Sequence, residues 1–168
     1  DEYSTLIEPL LKQSPNLQIV FTISPIRHWK DGAIENQASK SILNVAIHQL
    51  CEIFESNVSY FPSYEIMMDD LRDYRFYTDD MLHPSPLAVS YIFETFKRTF
   101  LTRETGVTSD KILKIIKAAQ HRPYNPFSEE HQQFCKKQIN EIQTLKKEMP
   151  NLNWSVELKL FENCISKL

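Results

Sequence analysis

The sequence predicts an α/β fold with a parallel sheet in about its first hundred residues. Residues 17–24 (LQIVFTIS) form an apolar run rich in β-branched side chains, typical of a strand buried on both faces. Apolar residues then recur at helical spacing over residues 39–54, and residues 58–61 (VSYF) indicate a second short strand. A strand, a long helix and a strand in this order predict a βαβ unit with two parallel, neighbouring strands.

The remainder of the chain has a purely helical pattern. Ser85 and the proline after it are typical of a helix start, and that helix runs to about residue 101. Beyond Gly106 we expect helices over residues 111–120, 128–149 and 153–168, with His131 in a structural role. The predicted organisation is therefore an α/β part at residues 1–105 and a helical C-terminal appendage at residues 106–168.

Composition excludes several classes of function. Among the 168 residues, 42% are hydrophobic and the net charge is −3, without a basic stripe, so nucleic acid is not an expected partner. The apolar runs are too short to span a bilayer, so no membrane partner is expected. Cys51, Cys135 and Cys164 are spaced for no metal motif, so we expect buried reduced thiols, a cytoplasmic protein, and no metal or cofactor.

The residues that indicate chemistry are Asp80 and His83, which lie just before the helix that follows Ser85. A histidine that takes a proton from a hydroxyl needs a fixed tautomer, and a carboxylate bonded to one ring nitrogen provides it. The spacing of three residues allows this contact in a tight loop. The pair follows the second strand of the βαβ unit, and ligands of open α/β sheets bind beyond the carboxyl ends of strands.

Several other residues are candidates for the same site. Arg27 and His28 follow the first strand and could bind an acyl or carbonyl oxygen or a substrate carboxylate, with a structural loop contact as the alternative. Ser63 and Ser85 are the local alternative nucleophiles, although Ser85 is better explained as a helix cap and Ser63 lacks flanking glycines. Loop carboxylates could bind a divalent cation, but they match no calcium-loop spacing and are predicted to be solvated. They are Asp69, Asp70, Asp73, Asp79 and Asp80.

Six short segments together resemble the SGNH or GDSL hydrolases, and more closely the branch of GSCFA-domain proteins. They are residues 24–28 (SPIRH), 31–32 (DG), 60–65 (YFPSYE), 73–77 (DYRFY), 80–85 (DMLHPS) and 121–126 (HRPYNP). The resemblance implies that Asp80 and His83 are two members of a Ser-His-Asp triad. It also implies that the two strands are the fourth and fifth of a three-layer, flavodoxin-like parallel sheet.

The Gly-Ser-Cys-Phe-Ala segment that gives this family its name, and whose serine would be the nucleophile, is not found in the sequence. We therefore expect the chain to be the C-terminal part of a hydrolase, with the remainder of its own N-terminal domain as a partner. The expected substrate is a small-molecule or carbohydrate ester. Acyl transfer to an alcohol at the same site is one alternative, and a non-catalytic helical binding module is another.

Overall fold

The computed structural model describes residues 2–165. Position 1 and the last three positions of the helix predicted over residues 153–168 lie outside the described residues. The chain forms two compact units, Asp1–Phe100 and Leu101–Leu168. The first is mixed α/β, and in the second the described residues form helices joined by short connections.

The predicted βαβ unit is confirmed. Strands β1 (Ile19–Thr22) and β2 (Val58–Phe61) are parallel, with Ile19 opposite Val58, and the long helix α2 (Ala33–Ile53) lies between them in sequence. β1 is shorter than the predicted run 17–24. The prediction that it is buried on both faces is wrong for the described residues, because Ile19, Val20 and Phe21 are only half-buried. Within residues 2–165 each strand pairs on one side only.

Alternating side chains of β1 contact helices on opposite faces of the sheet. Ile19 and Phe21 pack with Ile7 of helix α1 (Glu2–Gln13) and with Leu50 of α2. Val20 packs on the other face, in a cluster around Phe61 and Met67. Within the described residues the sheet has two strands, so a three-layer sheet with more strands remains a prediction.

Helix α2 carries apolar side chains on more than one face. Ile47 and Leu50 are buried, as the helical spacing predicts. Ile42 belongs to the same apolar pattern, but it is 70% exposed, and Val45 is exposed as well. The apolar surface of α2 therefore extends beyond the part that the described residues cover.

Side-chain hydrogen bonds hold the segment after β2 in place. The chain turns through a short helix, α3 (Ser63–Glu65), and a π-helical turn (Ile66–Asp70), so part of the expected irregular loop is helical. The Tyr60 hydroxyl donates to the Glu65 carboxylate at 2.7 Å. The Ser63 hydroxyl donates to the carbonyl oxygen of Ile23, also at 2.7 Å. The Ser63 bond ties the ends of the two strands together, and the Tyr60 bond holds the turn after β2 against that strand.

The helix predicted after Ser85 is confirmed as α4 (Pro86–Phe100). The Ser85 hydroxyl accepts a hydrogen bond from the backbone N–H of Ala88 at 3.4 Å, as a helix N-cap does. Proline is favoured at the first helical position because it has no N–H to leave unbonded. Ala88 is fully buried in the cluster around Phe61, which fixes the start of α4 against the end of β2.

The second unit consists of helices α5 (Arg103–Gln120), α6 (Glu129–Glu148) and α7 (Ser155–Ile165). Thr102 and Ser128 cap the first two of these helices with their hydroxyls. Its core contains fully buried residues from each helix, including Ile115, Ile142 and Phe161. Gly106 lies inside α5, since the helix begins three residues before it. Among the residues that the structure describes, no helix has the length and apolar character needed to cross a bilayer.

Two isoleucines of the first unit provide a matched test of burial. Ile23 is 2% exposed and Ile42 is 70% exposed. Ile23→Ala is expected to lower the free energy of unfolding by roughly 2–5 kcal/mol, because it removes buried methyl groups and leaves a cavity. Ile42→Ala is expected to change it by less than about 0.5 kcal/mol. Denaturant unfolding of the 168-residue chain measures both values, and equal losses would contradict this assignment of the core.

Candidate functional site

The loop that carries Asp80 and His83 is closed by backbone hydrogen bonds at both ends. The backbone N–H of Thr78 donates to the carbonyl oxygen of His83 at 2.9 Å. The backbone N–H of Ser85 donates to the carbonyl oxygen of Phe76 at 2.8 Å, and the Ser85 hydroxyl donates to the carbonyl oxygen of Arg75. This short antiparallel closure brings the ends of the loop together just before α4 begins.

The Asp80 carboxylate organises the interior of this loop. Its Oδ1 accepts hydrogen bonds from the Thr78 hydroxyl at 2.8 Å and from the backbone N–H groups of Leu82 at 2.9 Å and His83 at 3.0 Å. Its Oδ2 lies 2.6 Å from His83 Nδ1. The hydrogen bond that the spacing predicts between Asp80 and His83 is therefore present.

These donors hold the pKa of Asp80 well below its usual range, with the His83 and Leu82 backbone N–H groups as the largest causes. A carboxylate with a depressed pKa stabilises the folded loop above its unfolded pKa of about 3.9. This stabilisation begins to be lost when the pH falls below the unfolded pKa, and it is lost fully only below the lower pKa that Asp80 has in the folded chain. Asp80 therefore stays ionised across the neutral range, as a group that orients a histidine must.

The contact with Asp80 also selects the tautomer of His83. Because an ionised carboxylate only accepts hydrogen bonds, Nδ1 of the neutral ring must carry the proton. Nε2 then has a free lone pair, which is the state that a general base requires. The His83 side chain is 56% exposed. Among residues 2–165, no serine hydroxyl forms a hydrogen bond with this ring.

Met81, between the two residues of the pair, has an unusual backbone conformation. Its φ is 61°, in the left-handed region that side chains other than glycine rarely adopt. Backbone strain of this kind costs roughly 1–3 kcal/mol and is frequent at functional sites. The hydrogen bonds around Asp80 span this residue and offset the strain.

A cleft of about 860 Å³ lies beside the loop, and Asp80, Met81 and Leu82 form part of its wall. Arg27 lines the same cleft, and its guanidinium lies 3.2 Å from the sulfur of Met68. Within the described residues, Arg27 forms no ion pair with a carboxylate. The structure thus brings Arg27, predicted as a substrate-binding residue, to the same cleft as Asp80.

His28 has a different environment from Arg27. Its ring is exposed, with Nδ1 at 3.5 Å from a carboxylate oxygen of Asp31. Its backbone N–H donates to the side chain of Asn36, near the start of α2, at 2.7 Å. His28 does not line the cleft, so its predicted role in substrate binding remains a prediction.

The two alternative nucleophiles are both buried and hydrogen-bonded. The Ser63 hydroxyl donates to the carbonyl oxygen of Ile23, and it lies 2.7 Å from the Thr22 hydroxyl. The Ser85 hydroxyl donates to the carbonyl oxygen of Arg75. Neither hydroxyl contacts His83, and both act as structural donors, which argues against either serine as a nucleophile.

The loop carboxylates do not converge on a common point. Asp69 pairs with Arg72 at 2.7 Å, and Asp73 pairs with Arg75 at 3.1 Å. Within residues 2–165, these carboxylates do not bring three metal-binding atoms together. Arg72 and Asp73 instead lie on the wall of the cleft that Arg27 and Asp80 also line.

Three residues that support the site were not identified from the sequence. Thr78 completes the set of donors to Asp80. Asn36 holds the backbone of His28, and Lys40, nearly buried on α2, donates from Nζ to the carbonyl oxygen of Ser24 at 2.7 Å. In the sequence they are an ordinary loop threonine and ordinary polar residues of a helix. Only their hydrogen bonds in the folded chain identify them.

Two family models match this chain. The model of the GSCFA family matches residues 1–96, and that of the GSCFA domain protein, C-terminal domain, matches residues 112–167. Comparison with curated proteins and with solved structures found no match. The first family match includes β1, β2, the cleft and the Asp80–His83 pair. The chain therefore belongs to the GSCFA family.

Proposed function

We propose that this chain carries the base and the orienting acid of an SGNH-type serine hydrolase that acts on ester or acyl bonds. The observation that supports the proposal most is the 2.6 Å contact between His83 Nδ1 and Asp80 Oδ2. This contact lies in a strained loop after β2 and the short helical turns that follow it, where Asp80 borders an open cleft and the His83 ring is exposed. A general base needs these features: a fixed tautomer, a free second nitrogen and access to substrate.

The proposed chemistry assigns one role to each member of the pair. His83 Nε2 takes the proton of a serine hydroxyl as that oxygen attacks the ester carbonyl, and it later gives the proton to the leaving alcohol. Asp80 holds the ring and stabilises the imidazolium that forms between these steps, and it does not itself take up the proton. Water or a second alcohol then resolves the acyl-enzyme, so hydrolysis and acyl transfer share the same base.

We propose that the serine lies on a segment outside the printed sequence. Ser63 and Ser85, the two local candidates, are buried and bonded to backbone carbonyl groups. That segment would pack on apolar surface of the first unit, where Ile42 and Val45 are exposed on α2. Exposed apolar groups of this kind mark contact surfaces. If so, Ile42→Ala should lower the melting temperature of the intact protein, although it leaves the 168-residue chain unaffected.

Arg27 is proposed to bind an oxygen of the substrate acyl group or of a substrate carboxylate. It is the cleft-lining arginine whose guanidinium contacts a thioether sulfur instead of a carboxylate. Arg72 lines the same cleft but is paired with Asp69. A guanidinium without a carboxylate partner keeps its N–H donors and its charge available for an anionic or partly negative oxygen.

The catalytic roles are tested by His83→Ala and Asp80→Asn in the intact protein. Each is expected to lower kcat for a chromogenic aryl ester by on the order of 10⁴-fold, because the base is lost or its tautomer is no longer fixed. Asparagine keeps an acceptor for the loop N–H groups, so the Asp80→Asn variant should retain the far-ultraviolet circular dichroism of the unmodified protein. Its melting temperature should fall, because the ionised carboxylate that stabilises the folded loop is lost.

Two substitutions of residues outside the pair serve as controls for these variants. Asp79→Asn removes an exposed carboxylate from the adjacent position of the same loop, and His48→Ala removes an exposed histidine of α2. Both should keep kcat within about twofold, since neither residue contacts the pair. A His83→Ala protein that remains folded and keeps its activity would refute the proposed mechanism.

The two arginines of the cleft provide a second test. Arg27→Met is expected to raise KM at least tenfold. A charge-assisted hydrogen bond contributes roughly 1.5–3 kcal/mol to binding, which corresponds to a loss of about that size or more. Arg72→Met should raise KM less than twofold, because the Arg72 guanidinium is already paired. Steady-state kinetics of both variants decide the question, and equal changes in KM would show that Arg27 has no specific role.

A further inference from the structure

Three side chains that are far apart in the sequence meet in the core of the second unit. His131 and Cys135 lie four residues apart on α6 and therefore share one helix face, and Cys164 lies on α7. The Cys135 Sγ lies 3.6 Å from His131 Nε2. One ligand atom from each residue, the imidazole nitrogen and the two sulfurs, lies within 4.8 Å of the other two. The spacing in the sequence does not indicate this group, because α7 begins 20 residues after Cys135.

The surroundings favour a specific site over chance contact. Cys135 is fully buried and Cys164 is half-buried, in and beside the core formed by Ile115, Ile142 and Phe161. His131 is fixed at the start of α6, where its backbone N–H donates to the Ser128 hydroxyl at 3.2 Å. Its ring stacks on Phe134, with centroids 6.1 Å apart. The imidazole is therefore held with a nitrogen towards a buried sulfur.

We propose that His131, Cys135 and Cys164 form a binding site for a zinc ion that joins α6 to α7. Two thiolates and an imidazole are a ligand set that zinc prefers among the common biological cations. Zn–S bonds of about 2.3 Å and Zn–N bonds of about 2.0–2.1 Å, at tetrahedral angles, require ligand atoms about 3.5–3.8 Å apart. The observed 3.6 Å between Cys135 Sγ and His131 Nε2 meets this requirement.

Only a small movement would complete the site. The Cys164 thiol lies 3.2 Å from the carbonyl oxygen of Leu160, one helical turn earlier, which it can leave by rotating about its first side-chain bond. A water or another small ligand would fill the fourth tetrahedral position. The ion would fasten the final described helix to the longest helix of its unit, with three protein ligands and one exchangeable position.

Burial acts against metal binding at one of the ligands. It raises the pKa of the Cys135 thiol to about 12, with the hydrogen bond to Cys164 as a further cause. Without a metal, Cys135 is therefore a neutral thiol that packs as an apolar group. A zinc ion must displace the thiol protons, so the net affinity is the metal–thiolate energy less the cost of deprotonation.

The proposal is tested by zinc titration of the reduced, chelator-treated 168-residue chain in competition with a chromogenic chelator. We expect one equivalent of zinc to bind and to raise the melting temperature. Replacing zinc by Co²⁺ should give a thiolate-to-cobalt charge-transfer band. Cys164→Ser and His131→Gln should each weaken zinc binding more than about 100-fold, since loss of an outer contact alone costs about 10- to 100-fold.

Cys51→Ser is the matched control, because Cys51 is a half-buried cysteine of the first unit and is not a proposed ligand. It should keep the zinc equivalent and the thermal shift. Two outcomes would each overturn the proposal. One is the absence of zinc binding to the reduced chain, and the other is unchanged zinc binding in a folded Cys164→Ser variant.

Discussion

The candidate site depends on the hydrogen bonds that one carboxylate accepts in a short loop. Asp80 binds the Thr78 hydroxyl, two backbone N–H groups and the ring of His83. These contacts keep the carboxylate ionised at neutral pH and orient the imidazole. They also span the strained backbone of Met81. Because α4 begins directly after this loop and is capped by Ser85, the loop is also fixed to the fold behind it. One residue thus connects the local backbone geometry to the chemistry of the pair.

The sheet supplies the frame for that loop through polar contacts as well as apolar packing. Ser63 and Thr22 join the ends of the two strands, and Lys40 reaches from α2 to the carbonyl oxygen of Ser24. Both contacts hold backbone at the carboxyl ends of the strands, where α/β sheets bind ligands. The exposed apolar residues of α2, such as Ile42, leave part of the apolar surface of the first unit uncovered by the described residues.

The sequence predicts the parts of this protein that depend on local pattern. The parallel strands, the α2 helix and the Asp80–His83 contact follow from periodicity and short spacing, and the structure contains all three. Ile42 belongs to the apolar pattern of α2 and is nevertheless exposed, because helical periodicity identifies an apolar face but not whether a neighbour covers it. The meeting of Cys135 with Cys164 was missed because it depends on the packing of α6 against α7, which no local spacing encodes.

Labelling with a fluorophosphonate tests the role of His83 as the base, because this probe reacts with a serine that a base has activated. We expect the intact protein to be modified at one serine outside the printed sequence. We also expect His83→Ala to reduce the rate of labelling at least 100-fold, within the range that a general base contributes. The 168-residue chain alone should remain unlabelled. Labelling of this chain at Ser63 or Ser85, or an unchanged rate in the His83→Ala protein, would show that His83 does not activate a serine outside this chain.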